Sequence, residues 1–290
     1  MKVIHPISAR LLQKSQYWLL GTAAALVAIY MTLVWLSGNI AHFGMSILFY
    51  LSAMIVFWEK RHSLVLQSSV LSKVLGAALI GFSLWGGSIL LHDPQLTSDL
   101  PNPVLRLFPF VSALAISLLT SGLQGLKRYR QELTLLFFLG GPSVIFTLLP
   151  DISPITARFA TFLLWYTGFN VSVQDVYINL PTGGVKVYTG CSGIESMAYL
   201  LGIAVIGLIL FPVSRSKQIL VPIIALLIGF GVNGVRVALM AILGTAQNQE
   251  LFHYWHEGEG SSIFGVVAML VFGLCYWLIC KQQRISDQKF

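Results

Sequence analysis

Three residues of this chain have side chains that together could transfer an acyl group: Cys191, Arg236 and His256. A thiolate attacks a carbonyl, an imidazole moves the protons, and a guanidinium stabilises the developing oxyanion. Cys191 lies in Thr189-Gly190-Cys191-Ser192-Gly193-Ile194-Glu195-Ser196, at the mouth of a long apolar run. A helix N-terminus carries partial positive charge, which favours a thiolate over a thiol. Ser192 and Glu195 have the S-x-x-E spacing of a capping box. That spacing predicts Ser192 as N-cap, Glu195 reaching back to its amide, and a helix starting just after Cys191. The competing reading is a small buried apolar side chain with no reactivity.

Arg236 belongs to Asn233-Gly234-Val235-Arg236, inside another apolar run. A charge there costs several kcal/mol, so such residues face a bundle interior with a partner or a task. Three-residue spacing puts Asn233 and Arg236 on one helix face. A structural ion pair, or an arginine reaching out to the membrane interface, would also account for Arg236. His256 closes His253-Tyr254-Trp255-His256, followed by Glu257-Gly258-Glu259-Gly260. Its ordinary pKa suits a general acid or base. Two histidines and two carboxylates raise a metal site as well, but the spacing matches no zinc motif and no further ligands stand nearby. The cluster could also be an aromatic belt with incidental polar neighbours.

The elements that would position these groups are membrane helices. Hydrophobic residues make up 56% of the 290 and charged residues only 10%, against roughly 25% charged in soluble domains. Runs long enough to cross a hydrocarbon core, about 20 helical residues, recur along the chain. Eight spans are expected, near Tyr17–Ser37, Asn39–Trp58, Val70–Leu91, Val104–Gly125, Leu133–Leu149, Ser192–Phe211, Ile219–Leu243 and Ile263–Cys280. The second carries Asn39 and His42 at its start, and the fifth is short with Gly140-Gly141-Pro142 in its middle. No cleavable signal peptide is evident. The expected fold is an all-α polytopic membrane domain over residues 1–290, with five spans in 1–149, a cap in 150–190 and three spans in 191–290.

Charge segregation orients it. With both termini cytoplasmic, Lys2, Arg10, Lys14, Lys60, Arg61, Lys73, Lys127, Arg128, Arg130, Arg215, Lys217, Lys281, Arg284 and Lys289 fall on the cytoplasmic side. Only Arg106, Arg158, Lys186 and Arg236 remain on the other. An odd number of spans would break this pattern. The net charge of +7 therefore reflects orientation and anionic lipid rather than nucleic acid. Cys275 and Cys280 fall in the cytoplasmic half of the last span, out of reach of Cys191, and are assigned to packing.

The opposite side gathers the unusual sequence. The loop from His92 to Pro103 is polar and Pro-rich. Ile155 to Phe169 is apolar and aromatic, carries Arg158, and is too short to span comfortably, which predicts an interfacial helix. Val171, Val173, Val176, Ile178 and Leu180 alternate with polar residues. Pro181-Thr182-Gly183-Gly184 turns the chain, and Val185 and Val187 resume the alternation. That is a β-hairpin signal leading straight to Cys191. Cys191, Arg236 and His256 thus come from three helix ends or outer halves facing one side.

Cys191-Ser192-Gly193, Asn233 with Arg236, and His256 with Gly260 and Phe264, in that order on a multispan chain, resemble the exosortase/archaeosortase family. The resemblance covers about Pro150 to Phe264, and the wording from Tyr254 to Gly260 is most similar to cyanobacterial exosortases. It implies a membrane-embedded cysteine peptidase or transpeptidase with Cys191 as nucleophile, Arg236 and His256 completing the site, and no metal or organic cofactor. Asn233 matches the family residue one turn before the arginine, and His253 is the nearest competitor of His256. Ser192 and Glu195 would support the site. The implied partners are exported proteins ending in a Pro-Glu-Pro motif, an apolar helix and a basic tail, together with membrane lipids and a surface acceptor. The implied location is the inner or plasma membrane with the site at its extracytoplasmic face. A permease, or a non-catalytic component of polysaccharide export, is the alternative.

Overall fold

A computed structural model describes residues 6–60, 68–92, 102–181, 183–244, 249–256 and 258–287. The expected loop between His92 and Pro103, the turn residue Thr182, and Lys2, Arg61, Glu257 and Lys289 lie outside the described residues. The chain divides into two compact units, Met1–Val144 and Ile145–Phe290.

The first unit is helical. It holds α1 (Pro6–Leu36), α2 (Ile40–Lys60), α3 (Val70–Leu91) and α4 (Pro103–Gly125). A 3-10 turn at Leu126–Tyr129 then leads into α5 (Arg130–Thr147). Local sequence explains the starts. The Asn39 side chain accepts from His42 N at the head of α2. Ser69 caps α3, and Asn102 caps α4 with Pro103 in its first turn. Gly122, at φ 64°, breaks the end of α4, and Leu123 N donates to Ser72 Oγ there. The chain then doubles back: Phe110 meets Phe137 at 5.4 Å between ring centroids. Gly140 sits so close to the Arg106 carbonyl that an alanine methyl would overlap it.

His42, which weakened the second span in sequence, is part of a buried chain of hydrogen bonds. Arg106 Nη1 lies 2.7 Å from His42 Nδ1, and Tyr30 Oη lies 2.9 Å from His42 Nε2 and 2.9 Å from Ser46 Oγ. A guanidinium only donates, so Nδ1 accepts and Nε2 carries the ring proton. Arg106 is thus a buried member of α4, inside the expected fourth span.

The second unit begins with α6 (Ser153–Tyr166), whose Ile155, Phe162, Trp165 and Tyr166 are exposed. Where a hairpin was expected there is a three-stranded antiparallel meander of β1 (Ser172–Gln174), β2 (Tyr177–Leu180) and β3 (Gly183–Lys186). The extra reversal is a two-residue turn at Asp175-Val176, with Asp175 at φ 56°. Val176, read as a strand residue, is thus a turn residue. A 3-10 turn, Thr189–Cys191, follows, then α7 (Ile194–Leu210), α8 (Arg215–Leu243), α9 (Gln249–His256) and α10 (Glu259–Asp287).

One apolar cluster joins Ala157, Ala160 and Leu164 of α6 to Ile178 of β2 and to Val237, Ala238 and Ala241 of α8. This seats the sheet and α6 on the C-terminal half of α8. A second cluster joins Leu200 and Ala204 of α7, Val221 and Ala225 of α8, and Ala268, Phe272 and Tyr276 of α10, with Cys280 packed against it. Among the described residues, seven helical stretches are long and apolar enough to cross a membrane. One of them, Pro103–Thr147, contains the folded-back pair α4 and α5. A helix therefore lies at each of the eight expected spans, and the chain is an all-α polytopic membrane protein with a small sheet.

Candidate active site

The turn that presents Cys191 is held from both sides. Cys191 N donates to Tyr188 O at 2.8 Å and Ser192 N to Thr189 O at 3.2 Å, closing the 3-10 turn. From α8, Asn233 Nδ2 donates to Cys191 O at 2.9 Å. From α6, Thr156 Oγ1 donates to Ser192 O at 2.7 Å. Asn233, Ser192 and Thr156 are all buried, so these bonds form in a setting where losing a partner is costly. Gly193 completes the clamp. It stands at φ 95°, and a Cβ there would lie 2.8 Å from Asn233 Nδ2, so a left-handed backbone and a missing side chain are both required.

This arrangement corrects the expected capping box. Helix α7 starts at Ile194 with Gly193 as N-cap, and the Ser192 hydroxyl donates to Thr189 O at 2.6 Å. The Glu195 carboxylate accepts from Tyr199 Oη at 2.6 Å. Ser192 thus tightens the turn instead of capping the helix. The 3-10 turn uses the amides of Cys191 and Ser192. The sulfur meets a side-chain partner.

That partner comes from α9. His256 Nε2 lies 3.5 Å from Cys191 Sγ, within hydrogen-bond reach for sulfur. The imidazole stacks on Phe252 at 5.2 Å with an interplanar angle of 18°, and Tyr188 Oη approaches the same Nε2 at 3.3 Å. Arg236 Nη2 reaches from α8 to donate to the His256 carbonyl at 2.8 Å. Its Nε is buried and has no hydrogen-bond partner among the described residues. One α8 face thus holds both halves of the pair: Asn233 fixes the cysteine turn and Arg236, one turn on, fixes the end of α9.

His253 does not occupy that place. It is exposed on α9, and its carbonyl accepts from Gly258 N at 3.0 Å. Helix α9 ends at His256 and α10 begins at Glu259, so both histidines lie on a short helix ahead of the last span. Gly260 packs where a Cβ would lie 2.7 Å from the Tyr254 ring and 3.0 Å from Trp255, so this glycine folds the connection tightly under α9. None of the three cysteines forms a disulfide. Among the described residues, no group of three or more His, Cys, Asp or Glu is placed to hold a metal ion.

Two contributors escaped sequence reasoning. Tyr188 stands three residues before Cys191, the offset that a 3-10 turn would eclipse, but its hydrogen-bond partner is 68 residues away. Thr156 reads as an ordinary polar residue on an interfacial helix. Its contact with the Ser192 carbonyl has no local signature.

Compared with known families, residues 35–273 match the family model described as Transmembrane exosortase (Exosortase_EpsH). No curated protein and no solved structure matches the chain. The matched region contains every residue placed around Cys191.

Proposed function

The chain belongs to the transmembrane exosortase family, and from that premise we propose that it is a cysteine transpeptidase acting through Cys191, His256 and Arg236. Membership supports a multi-pass membrane protein that sorts other proteins by peptide-bond transfer. The observation that carries the finer reading is the 3.5 Å approach of His256 Nε2 to Cys191 Sγ.

In the proposed reaction the thiol proton passes to Nε2 and the sulfur electron pair forms a bond to a peptide carbonyl carbon. The carbonyl pair moves onto oxygen. Collapse of that oxyanion breaks the C–N bond, the leaving nitrogen takes the proton from Nε2, and a thioester remains on Cys191. An acceptor nucleophile then gives its proton to Nε2 and displaces the sulfur. Arg236 serves twice in this reading. Nη2 holds the backbone of the proton carrier, and the buried Nε is a donor left over for developing negative charge.

The proposed substrates are exported proteins ending in a Pro-Glu-Pro segment, an apolar helix and a basic tail. The charge segregation along the chain supports cytoplasmic termini, with the cysteine turn at the extracytoplasmic face. A substrate helix anchored by its basic tail presents its motif at the same depth, which makes the attack effectively unimolecular.

Membranes containing the full chain should cleave a tagged reporter of that design, and an intact reporter would overturn the reading. The same assay sorts the roles of Arg236. A lysine keeps the charge but not the planar fork that serves two acceptors. Arg236→Lys should insert at normal abundance and lose about 10²–10³-fold in processing, the size of a lost oxyanion donor. Near-normal activity would remove the oxyanion role, and loss of the protein from the membrane would make the arginine a fold element.

A further inference from the structure

The reaction above uses one hydrogen-bond partner of His256 Nε2, yet two side chains approach that atom. Tyr188 Oη lies 3.3 Å away and Cys191 Sγ 3.5 Å. Both come from one piece of backbone. Tyr188 is the N-cap of the 3-10 turn that ends at Cys191, and its carbonyl accepts from Cys191 N. Residues three apart on such a turn project in the same direction. The tyrosine ring meets the imidazole edge-on, with centroids 6.1 Å apart. A neutral imidazole nitrogen offers a single lone pair. Phenol and thiol therefore compete to donate to it.

We propose that Tyr188 is a positioning residue for the cysteine's reaction, sharing His256 Nε2 with the thiol and holding the proton there once it has moved. This inference rests on the reading of Cys191 as nucleophile and His256 as proton carrier. In the resting site the phenol and thiol share the lone pair, which keeps the ring turned toward the cysteine turn. When the thiol proton passes to Nε2 the direction reverses. Nε2–H becomes a donor, and the Tyr188 oxygen is an acceptor beside the thiolate. As the S–C bond forms, negative charge leaves the sulfur for the carbonyl oxygen and the sulfur ceases to be a good acceptor. Tyr188 then keeps Nε2–H bonded until the C–N bond breaks and the leaving nitrogen takes the proton. Nothing is consumed: the proton lost by the thiol is the one gained by the leaving group.

The titratable and charged groups on the elements packed here are Tyr188 and Cys191 on the turn, Arg158 and Tyr166 on α6, Glu195 and Tyr199 on α7, Arg215, Lys217 and Arg236 on α8, and Glu250, His253, Tyr254 and His256 on α9. Of these, Arg236 reaches His256 through its backbone carbonyl and Glu195 accepts from Tyr199. Tyr188 is thus a group on the imidazole nitrogen itself whose hydroxyl can be deleted without removing a ring or a charge.

Tyr188→Phe keeps the ring contact and removes only the hydroxyl. The test uses the full chain in membranes with Cys275→Ser and Cys280→Ser, so that Cys191 is the remaining thiol of three. Processing of the tagged reporter should fall about tenfold, the upper range for one neutral hydrogen bond. The pH midpoint of iodoacetamide alkylation at Cys191 should move to higher pH, because the imidazolium beside the thiolate loses the acceptor that holds its proton, a stronger bond than the neutral one in the resting site. A merely structural lesion would lower processing without that upward shift. Unchanged processing, or reduced processing with the midpoint unmoved or lowered, overturns the inference. Cys191→Ala run alongside separates the two layers. If it still processes the reporter, the nucleophile reading fails. If it abolishes processing while Tyr188→Phe is silent in both readouts, only the tyrosine inference fails.

Discussion

Cys191→Ala leaves the chain inserted in the membrane and lowers reporter processing by at least about 10³-fold, the scale on which a covalent mechanism loses its nucleophile. The structure explains why the loss should be chemical rather than structural. The clamp on this turn runs through backbone: Asn233 donates to the Cys191 carbonyl, and Cys191 N donates to the Tyr188 carbonyl. Both bonds survive truncation of the side chain. The sulfur packs only partly against the cluster formed by α6, β2 and α8, so alanine leaves a small vacancy beside an already half-open site. Cys191→Ser keeps the shape as well and should be nearly as inactive, since a hydroxyl ionises far less readily than a thiol. Processing by either variant within tenfold of the unaltered chain would return Cys191 to a packing role.

His256→Ala should cost about 10²–10⁴-fold, the usual worth of a positioned acid–base group. Here too the scaffold survives, because Arg236 Nη2 grips the His256 carbonyl rather than its ring. The stacking on Phe252 is lost, a contribution of about 1 kcal/mol, too small to mimic loss of the proton carrier. His253→Ala should cost less than about tenfold on the same scale, since its side chain points from the exposed side of α9. Processing rates of the two variants at equal membrane abundance decide the assignment. A larger loss at His253 would reverse it.

The helices were legible in the sequence wherever a single long apolar run was enough to specify them. Every expected span meets a helix because burying a backbone in lipid leaves few other options. What failed to be legible depends on partners far along the chain. The S-x-x-E spacing of Ser192 and Glu195 is a local signal, and it lost to a tertiary one. Asn233 fills the place a Gly193 Cβ would take, and Gly193 itself stands at φ 95° as the N-cap, so the helix starts at Ile194. The extra strand reversal uses Asp175 at φ 56° rather than the glycine that usually marks such turns. Arg106 falls within the expected fourth span, and its partner there, His42, is 64 residues earlier and carries no local signal for the pairing.

The candidate site was legible as residue types in order along the chain, and not as geometry. In the sequence His253 stands as the nearest competitor of His256, and the spacing to Gly260 and Phe264 favours His256 only through the family resemblance. The break between α9 and α10, with Gly260 folded against Tyr254 and Trp255, turns His256 to the sulfur. Tyr188 and Thr156 carried no motif at all. Each acts through a contact that exists only once α6, α8 and α9 have packed around the turn.

The central claim is that Cys191 carries the substrate as a thioester. The direct measurement is mass spectrometry of the full chain after brief incubation of its membranes with the tagged reporter and acid quenching. His256→Ala should lower the adduct yield in the same experiment, and hydroxylamine should release the adduct. The account predicts the reporter fragment attached to the peptide containing Cys191, and its absence from peptides containing Cys275 and Cys280. Cleavage of the reporter with no adduct on Cys191, or with an adduct on another residue, would contradict it.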